Sequence, residues 1–215
     1  MIVACVRTGD KYPIGYVTRL RNMVERHMPI GYEMVCLTDQ KERCSGVTFI
    51  DITASGLTGW WAKMLLFEPQ WRRLRRVIYL DLDVIVRGDL SPITLIQSEL
   101  AILASPVRTI NGNAQYPCAY NSSVMVIRET MTDFIWRTFD RDRERWMRAA
   151  GNYGDQLAIE LIYGGTADLI DRLLPGFVLN YRLLTMIEPS ASIITFGGKN
   201  KPDTCQIPWV TKLWA

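Results

Sequence analysis

Short apolar runs alternate with amphipathic segments along the first half of the chain, and this alternation constrains the fold more than any other feature. Residues 2–6 and 33–37 are continuous β-favouring runs, and residues 16–28 between them place apolar side chains at helical spacing. A third apolar run covers residues 47–52. Parallel strands are joined by crossover helices and lie buried between them. This order therefore predicts an α/β fold with a mostly parallel central sheet and helices on both faces.

The rest of the chain continues the same pattern. A helix is expected over Gly59–Phe67, a long amphipathic helix over about 131–148, and another from Asp155 to the glycine pair at 164–165. Further strands are expected at residues 77–80, 100–104, 123–127 and 193–196. We find no internal repeat or linker within the 215 residues, so the sequence predicts one domain over 1–215.

Composition and charge exclude several classes of protein. Hydrophobic residues make up 48% of the chain and charged residues 22%, which excludes an intrinsically disordered chain. The net charge of +3 indicates neither a nucleic acid nor a membrane as partner. The basic run at 72–76 could still contact an anionic membrane surface, although nothing else in the sequence supports that contact.

Cysteine usage and the lack of long apolar stretches indicate a compartment. The five cysteines form no C-x-x-C pair, so the sequence contains neither a zinc ribbon nor a thioredoxin-like motif. Residues 1–7 lack the features of a signal peptide, and no stretch approaches the roughly 20 apolar residues of a membrane helix. We therefore expect a cytoplasmic protein with reduced thiols.

Two carboxylates at the end of a predicted strand are the sharpest chemical feature of the sequence. In the segment VIYLDLDVIV, residues 77–86, Asp81 and Asp83 follow four apolar residues. Side chains two apart on an extended segment point to the same side, and ligands of open α/β sheets collect beyond the carboxyl ends of strands. Two carboxylates together with substrate phosphates are a usual site for a hard divalent cation. We expect such an ion here; the alternative is an ordinary solvated strand end.

Seven sequence blocks in a fixed order give the chain a resemblance to a known family. The blocks are TGDKY (8–12), CLTD (36–39), GWWAKM (59–64), YLDLDVIV (79–86), YNSSVMV (120–126), GDQ (154–156) and FGGKNKP (196–202). In these blocks the chain resembles glycosyltransferase family 8, the group of glycogenin and the lipopolysaccharide galactosyltransferases. The resemblance runs nearly from end to end and implies a GT-A fold.

The resemblance implies a site for a nucleotide-sugar donor and a metal ion. The D-x-D block would hold Mn²⁺ (or Mg²⁺) and the nucleotide ribose, with Asp81 and Asp83 as the metal ligands. Lys63 would approach the donor sugar and diphosphate, and Lys201 would close over the diphosphate. The residues implied to bind the donor or the ion are Thr8, Asp10, Tyr12, Lys63, Asp81, Leu82, Asp83, Ser122, Gly198 and Lys201.

The same resemblance implies which residues meet the transferred sugar. Asn121 and Ser122 resemble an asparagine–serine pair beside the donor sugar. Asp155 and Gln156 resemble the residues that touch that sugar and the reacting carbon. Asn121, Asp155 and Gln156 are therefore the catalytic candidates. Without the resemblance, Asp155 would be read as a helix-capping carboxylate and Lys63 as a surface lysine.

One position departs from the family pattern. Four residues before the lysine that matches Lys201, the family has a histidine that is the third protein ligand of the metal, and this chain has Gly197 there. The chain's one histidine, His27, falls in the first predicted helix, where we expect a structural role. Water could complete the metal site, Asn200 or Asp203 could substitute, or metal binding could be weak.

Two neighbouring tryptophans in the GWWAKM block have two interpretations. Trp60 and Trp61 could pack in the core and at its rim, or they could form an apolar floor near a sugar. The second interpretation arises because an aromatic ring suits the C–H face of a pyranose. We adopt packing as the expectation from sequence.

The resemblance implies transfer of a sugar, with retention of the anomeric configuration, from a nucleotide-diphosphate donor to a glycan, protein or small-molecule acceptor. A UDP-sugar is the donor that the family favours. Retention could follow front-face attack within an ion pair, which we favour, or double displacement through Asp155.

Two other functions remain open at this stage. A domain of this fold could bind a nucleotide-sugar or a glycan without turnover, which the departure at Gly197 would suit. A haloacid-dehalogenase-type phosphatase also carries D-x-D after a buried strand. Ile85, however, stands where that class usually has Thr or Val.

Overall fold

A seven-stranded sheet forms the centre of the protein, and a sheet of three strands lies beside it. The computed structural model describes residues 1–72, 75–109, 112 and 115–214. The strands are β1 (Ile2–Arg7), β2 (Glu33–Thr38), β3 (Thr48–Asp51), β4 (Val77–Leu80), β5 (Ile85–Val86), β6 (Leu100–Ala104), β7 (Tyr120–Ile127), β8 (Asp168–Leu169), β9 (Val178–Asn180) and β10 (Ile193–Thr195).

Helices connect and cover these strands. The α-helices are α1 (Ile14–His27), α2 (Pro69–Arg72), α3 (Ser91–Thr94), α4 (Pro106–Thr109), α5 (Phe134–Arg141), α6 (Arg143–Ala150), α7 (Gly154–Tyr163), α8 (Ile170–Leu173) and α9 (Pro208–Trp214). Segments of 3₁₀-helix cover Thr53–Ser55, Gly59–Phe67, Gly151–Tyr153, Tyr181–Leu183 and Pro202–Thr204.

The strand order of the large sheet is β3–β2–β1–β4–β7–β6–β8. Strands β1 to β4 pair in parallel, as do β6 and β8, whereas β7 runs antiparallel to its neighbours β4 and β6. The small sheet has the order β5–β10–β9. The predicted α/β fold with a mostly parallel sheet is confirmed. Because β7 is reversed, its first residues lie at the edge where β1 and β4 end.

Side chains of the central strands point alternately to the two faces of the sheet, and each face is covered by an apolar layer. On β1, Val3 and Cys5 join the layer covered by α1, while Ile2 and Ala4 join the layer covered by the Gly59–Phe67 segment and α7. All four side chains are fully buried. A strand buried on both faces reads as a continuous apolar run, which explains why these strands were detectable from sequence.

The Gly59–Phe67 segment is helical as predicted, and its helix type is 3₁₀. Two other elements differ from the sequence predictions. The long helix predicted over about 131–148 is two helices, α5 and α6, which are separated at Asp142, where φ is −151°. The Asp142 carboxylate accepts a hydrogen bond from the backbone N–H of Arg145 at 3.2 Å, so it caps α6 and starts a new helix. Strand β7 begins at Tyr120, three residues before the predicted start.

A membrane crossing needs a long helix with few charged residues. In the part of the chain that the structure describes, no helix combines the length and the apolar composition that such a crossing requires.

The cap at Asp142 makes a testable contribution to stability. Replacing Asp142 with Ala removes the acceptor for the N–H of Arg145, and we expect it to lower the free energy of unfolding by about 1 kcal/mol. Urea denaturation measures this change. Asp142→Asn keeps a capping oxygen and serves as the control. If both variants match the wild-type protein, the break between α5 and α6 is not maintained by this cap.

Candidate functional site

Three strand ends bring the predicted site residues to one edge of the large sheet. The loop after β1 contains Thr8 to Tyr12, the turn after β4 contains Asp81 to Asp83, and Asn121 and Ser122 lie in the first half of β7. This is the edge at which parallel strands end, where ligands of open α/β sheets bind.

The D-x-D segment is a turn, which corrects the geometry expected from sequence. Strand β4 ends at Leu80, and the N–H of Val84 bonds the carbonyl of Asp81 at 3.4 Å. Leu82 is only 2% exposed and packs in the core, so its side chain is not available to a ligand. Asp81 and Asp83 therefore do not share a side of an extended strand. Each has a separate set of partners within one charged cluster.

Asp81 is held by a lysine and a phenol. Oδ1 of Asp81 lies 2.8 Å from Nζ of Lys63 and accepts a hydrogen bond from the hydroxyl of Tyr79 at 2.6 Å. Burial alone would raise the pKa of Asp81, but the Lys63 ammonium and the hydrogen bonds from Lys63, Tyr79 and Ser123 together outweigh burial and hold that pKa below its ordinary value. Asp81 is therefore an ionised carboxylate at neutral pH.

Lys63 connects Asp81 to two further segments. Its Nζ donates a hydrogen bond to Oγ of Ser122 at 3.1 Å and lies 4.0 Å from Oδ2 of Asp155. Burial acts to lower the pKa of Lys63, but the carboxylates of Asp155 and Asp81 prevail and raise it. The cluster therefore contains a largely buried ammonium group that is charged at neutral pH.

Asp155 is the second carboxylate beside Lys63, and it is buried. It lies in the first turn of α7 and is only 3% exposed. Within the described structure its Oδ2 has no hydrogen-bond partner, and burial raises the pKa of this carboxyl group. A buried oxygen without a partner is costly, and such atoms concentrate where a ligand completes the hydrogen bonding.

Asp83 is held by a second lysine from the far end of the chain. Oδ2 of Asp83 accepts a hydrogen bond from the hydroxyl of Tyr12 at 2.9 Å and forms an ion pair with Nζ of Lys201. Asp83 is 4% exposed. Lys11 lies near the same groups, and burial together with Lys201 lowers its pKa. The FGGKNKP segment therefore contacts the D-x-D turn directly.

The loop after β1 is fixed by contacts that the sequence pattern does not reveal. Oγ1 of Thr8 accepts a hydrogen bond from the N–H of Gly59 at 2.8 Å. The N–H of Gly9 bonds both carboxylate oxygens of Asp39, at 3.1 and 3.2 Å. Buried Arg7 donates to the carbonyl of Tyr12 at 2.8 Å. Asp39 ends the CLTD block, and its position in that block is the one sequence signal that could have indicated this role.

The other predicted site residues lie at different distances from the cluster. Asn121 does not face Lys63: its Oδ1 bonds the N–H of Ser123 at 3.0 Å, and its side chain lines a cavity of about 140 Å³ together with Asn180 and Thr195. Gln156 contacts the hydroxyl of Tyr116. The remaining two, Asp10 and Gly198, are exposed.

Gly198 occupies a turn with φ of +62°. His27 is half-buried at the end of α1, and its structural role stays a prediction.

The carboxylates suit an ion that is shared with a phosphate ligand. Oxygen donors are the ligands of Mn²⁺ and Mg²⁺, and such ions are commonly held by one or two carboxylates plus substrate phosphates. Among the described residues, no group of three or more His, Cys, Asp or Glu side chains is placed to hold a metal. At Gly197, a Cβ would meet only the ring of Tyr181, at 3.9 Å. The oxygen chemistry of Asp81 and Asp83 suits such an ion, but the described protein groups alone do not enclose one.

Comparison with known proteins identifies the fold. Neither a protein-family profile nor a curated protein sequence matches the chain. Solved structures do. The galactosyltransferase LgtC, solved with donor and acceptor sugar analogues, superimposes with a TM-score of 0.70 at 17% identity, over 100% of this chain and 95% of LgtC. The chain has a GT-A glycosyltransferase fold.

Two further structures agree with this fold. The glycosyltransferase GlyE of Streptococcus pneumoniae gives a TM-score of 0.66 at 15% identity, over 99% of this chain and 59% of GlyE. Mouse xyloside xylosyltransferase 1 gives 0.59 at 13% identity, over 93% of this chain and 98% of that enzyme.

The ion pairs of Lys63 give a pH-dependent stability. Replacing Lys63 with Met leaves half-buried Asp81 and buried Asp155 without this counter-charge, and we expect the free energy of unfolding to fall by about 3 kcal/mol at neutral pH. Because the pKa of Asp81 is lowered in the folded protein, its contribution exists above about pH 4 and is lost as the pH falls through the folded pKa.

The deficit of this variant should therefore shrink near pH 3, as measured by urea unfolding at both pH values. Lys199→Met, at an exposed position, is the matched control. A deficit that does not change with pH would show that lost packing, and not the ion pairs, destabilises the Lys63 variant.

Proposed function

We propose that the protein is a glycosyltransferase of the family 8 type, which transfers a sugar from a nucleotide-diphosphate donor, a UDP-sugar, to an acceptor with retention of configuration. The observation that carries this proposal is the charged cluster at the sheet edge. In this cluster Lys63 forms an ion pair with Asp81, and Lys201 forms one with Asp83. Within a GT-A fold, this is a site suited to a diphosphate.

The two lysines would stabilise the leaving group. As the bond between the anomeric carbon and the diphosphate oxygen stretches, negative charge grows on the diphosphate, and preplaced cations lower the energy of that state. Lys201 lies on the FGGKNKP segment and Lys63 is anchored by Ser122, so both ammonium groups are positioned before a donor arrives. If a diphosphate entered between the two lysines, their ammonium groups would bind phosphate oxygens in place of the aspartate oxygens that they now contact.

The proposed cofactor is Mn²⁺ or Mg²⁺, held by Asp81 and Asp83. When bound, the ion would supply Lewis-acid stabilisation of the diphosphate. The proposed assignment to family 8 rests on the seven sequence blocks. The proposed metal cofactor rests on the two carboxylates of the D-x-D turn.

Asp155 and Gln156 would bind the transferred sugar. The Oδ2 atom of Asp155 is buried, has no hydrogen-bond partner in the described structure beside its ion pair with Lys63, and can accept a hydrogen bond from a sugar hydroxyl. We favour front-face attack over double displacement, because that buried carboxylate already serves as a counter-charge for Lys63. Asn121, which lines a separate cavity, would act on the sugar only after a rearrangement.

The partners in this proposal are a nucleotide-sugar and a glycan, protein or small-molecule acceptor. LgtC was solved with analogues of both a donor and an acceptor sugar. A cytoplasmic location stays a prediction, in keeping with the five free cysteines. Binding without turnover is the second candidate function, and Gly197, in place of a metal-ligating histidine, is the observation that favours it.

The aspartates of the D-x-D turn provide the direct test. We expect the wild-type protein to be stabilised by UDP with Mn²⁺ in a thermal-shift assay and to release UDP from a UDP-sugar. Asp81→Asn and Asp83→Asn keep the side-chain shape but remove the charge, and each should reduce UDP release on the order of 100-fold or more.

Asp140→Asn, on the exposed side of α5, is the control and should behave like the wild type. Wild-type rates in both D-x-D variants would refute the assigned roles. Stabilisation by UDP without any UDP release across a panel of nucleotide-sugars would favour the binding function instead.

The position of Gly197 tests the metal assignment independently. The backbone there does not require glycine, and an added Cβ atom would meet only the ring of Tyr181, so a larger side chain has room. We expect Gly197→His to tighten Mn²⁺ binding by adding an imidazole ligand, as measured by isothermal titration in the presence of UDP. Gly197→Ala controls for the loss of glycine. Equal Mn²⁺ affinities for the two variants would contradict the correspondence with the family histidine.

A further inference from the structure

Trp60 is exposed within a segment that is otherwise largely buried. Its relative exposure is 51%, whereas Ala62 and the run from Met64 to Phe67 are 3% exposed or less. Its neighbour Trp61 stacks on Phe139, with ring centroids 6.0 Å apart. The packing predicted from sequence for both tryptophans therefore describes Trp61 and not Trp60. A large exposed ring that no core contact explains is a candidate for ligand contact.

The helix type directs Trp60 towards the charged cluster. The Gly59–Phe67 segment is a 3₁₀-helix, in which side chains at positions i and i+3 lie on the same face. Trp60 and Lys63 are three residues apart, and Lys63 points at Asp81 and Asp155. Trp60 thus lies one turn before Lys63 on the same face, about 6 Å away along the axis, at the rim of the site.

Gly154 fixes the indole beside Asp155. A Cβ at Gly154 would lie 2.8 Å from Cδ1 and Nε1 of Trp60, and the residue has φ of +64°, so both the contact and the backbone require glycine. Asp155 and Gln156 follow directly. Tyr153, on the other side of Gly154, packs edge-on against Tyr116 at 5.0 Å, and Tyr116 contacts Gln156. Aromatic side chains therefore border the two residues proposed to meet the transferred sugar.

We infer that Trp60 is the stacking platform for a pyranose ring of the acceptor, and that the acceptor is therefore a glycoside. This inference rests on the proposed function and adds the substrate class. An indole face matches the apolar C–H face of a pyranose, while the hydroxyl groups at the ring edge remain free for polar partners. The ring is rigid, so binding a sugar there would restrict few side-chain rotamers.

The position of Trp60 favours the acceptor over the nucleotide base. The loop after β1, which by the family resemblance would receive the nucleotide base and ribose, meets the 3₁₀-helix at Gly59 through Thr8. The indole itself lies over Gly154, at the end of the site that holds Asp155. An acceptor ring on Trp60 would therefore border the anomeric carbon, not the base.

Equilibrium binding of simple glycosides tests this inference without a known natural acceptor. The probes are methyl α- and β-pyranosides of glucose, galactose and xylose, titrated by ligand-observed NMR in the presence of UDP. We expect at least one of them to bind the wild-type protein and Trp60→Ala to weaken it on the order of tenfold. Trp60→Phe retains an aromatic face and should recover most of the affinity.

Matched controls separate this result from loss of structure or of the donor site. Phe134→Ala removes an aromatic ring of equal exposure, 50%, at the start of α5, and should bind the glycosides like the wild type. UDP affinity is measured for every variant. If Trp60→Ala weakens UDP as much as the glycosides, the ring serves the nucleotide and the inference is wrong.

The failure of the inference can be told apart from the failure of the proposed function. Wild-type protein that releases UDP from a UDP-sugar but binds none of the pyranosides overturns the acceptor platform alone. Glycoside binding that Trp60→Ala does not change overturns it as well. Wild-type protein that neither binds UDP nor releases it from any nucleotide-sugar refutes the proposed function itself.

Discussion

The ion pair between Lys63 and Asp81 is the interaction on which the site depends. A buried ammonium group is costly unless carboxylates surround it, and here two carboxylates and a hydroxyl do so. These partners come from the end of β4, the start of β7 and the start of α7, and Lys63 itself comes from the 3₁₀-helix. One charge therefore ties four elements to the edge of the sheet. Such a contact fixes geometry more than it adds stability, because burying the charges consumes most of the Coulombic gain.

The charges of the cluster are balanced before any ligand arrives. Lys63 pairs with Asp81 and Asp155, Lys201 pairs with Asp83, and exposed Lys11 lies near Asp81 and Asp83, so three lysines accompany three carboxyl groups. A nucleotide diphosphate would upset this balance, since it brings negative charge to carboxylates that are already paired. A divalent cation entering with the diphosphate would restore the balance, and it would free the lysines to contact phosphate oxygens. Charge balance thus gives a physical reason to expect metal and donor to bind together.

The sequence was sufficient where a feature depended on local pattern. Four apolar residues before Asp81 predict a buried strand with carboxylates at its end, and the structure shows that strand as β4. The family resemblance implied that Lys201 closes over the diphosphate, but its contact with Asp83, across 118 positions, could not have been derived from spacing. The turn at 81–83 and the cap at Asp142 depend on tertiary contacts and on one backbone angle, which periodicity does not report.

The prediction that Asn121 and Ser122 both lie beside the donor sugar did not take account of an irregularity in the sheet. The register between β6 and β7 shifts between Ile102 and Leu103, so that Asn121 pairs with Leu103 while Met125 pairs with Ile102.

Ser122 consequently reaches Lys63, whereas Asn121 turns to the cavity on the other face of the sheet. The same limit applies to Trp60 and Trp61, which are adjacent in sequence. Adjacent residues of a helix point in different directions, so Trp61 packs against Phe139 while Trp60 lies exposed, and the sequence did not show which of the two rings would be exposed.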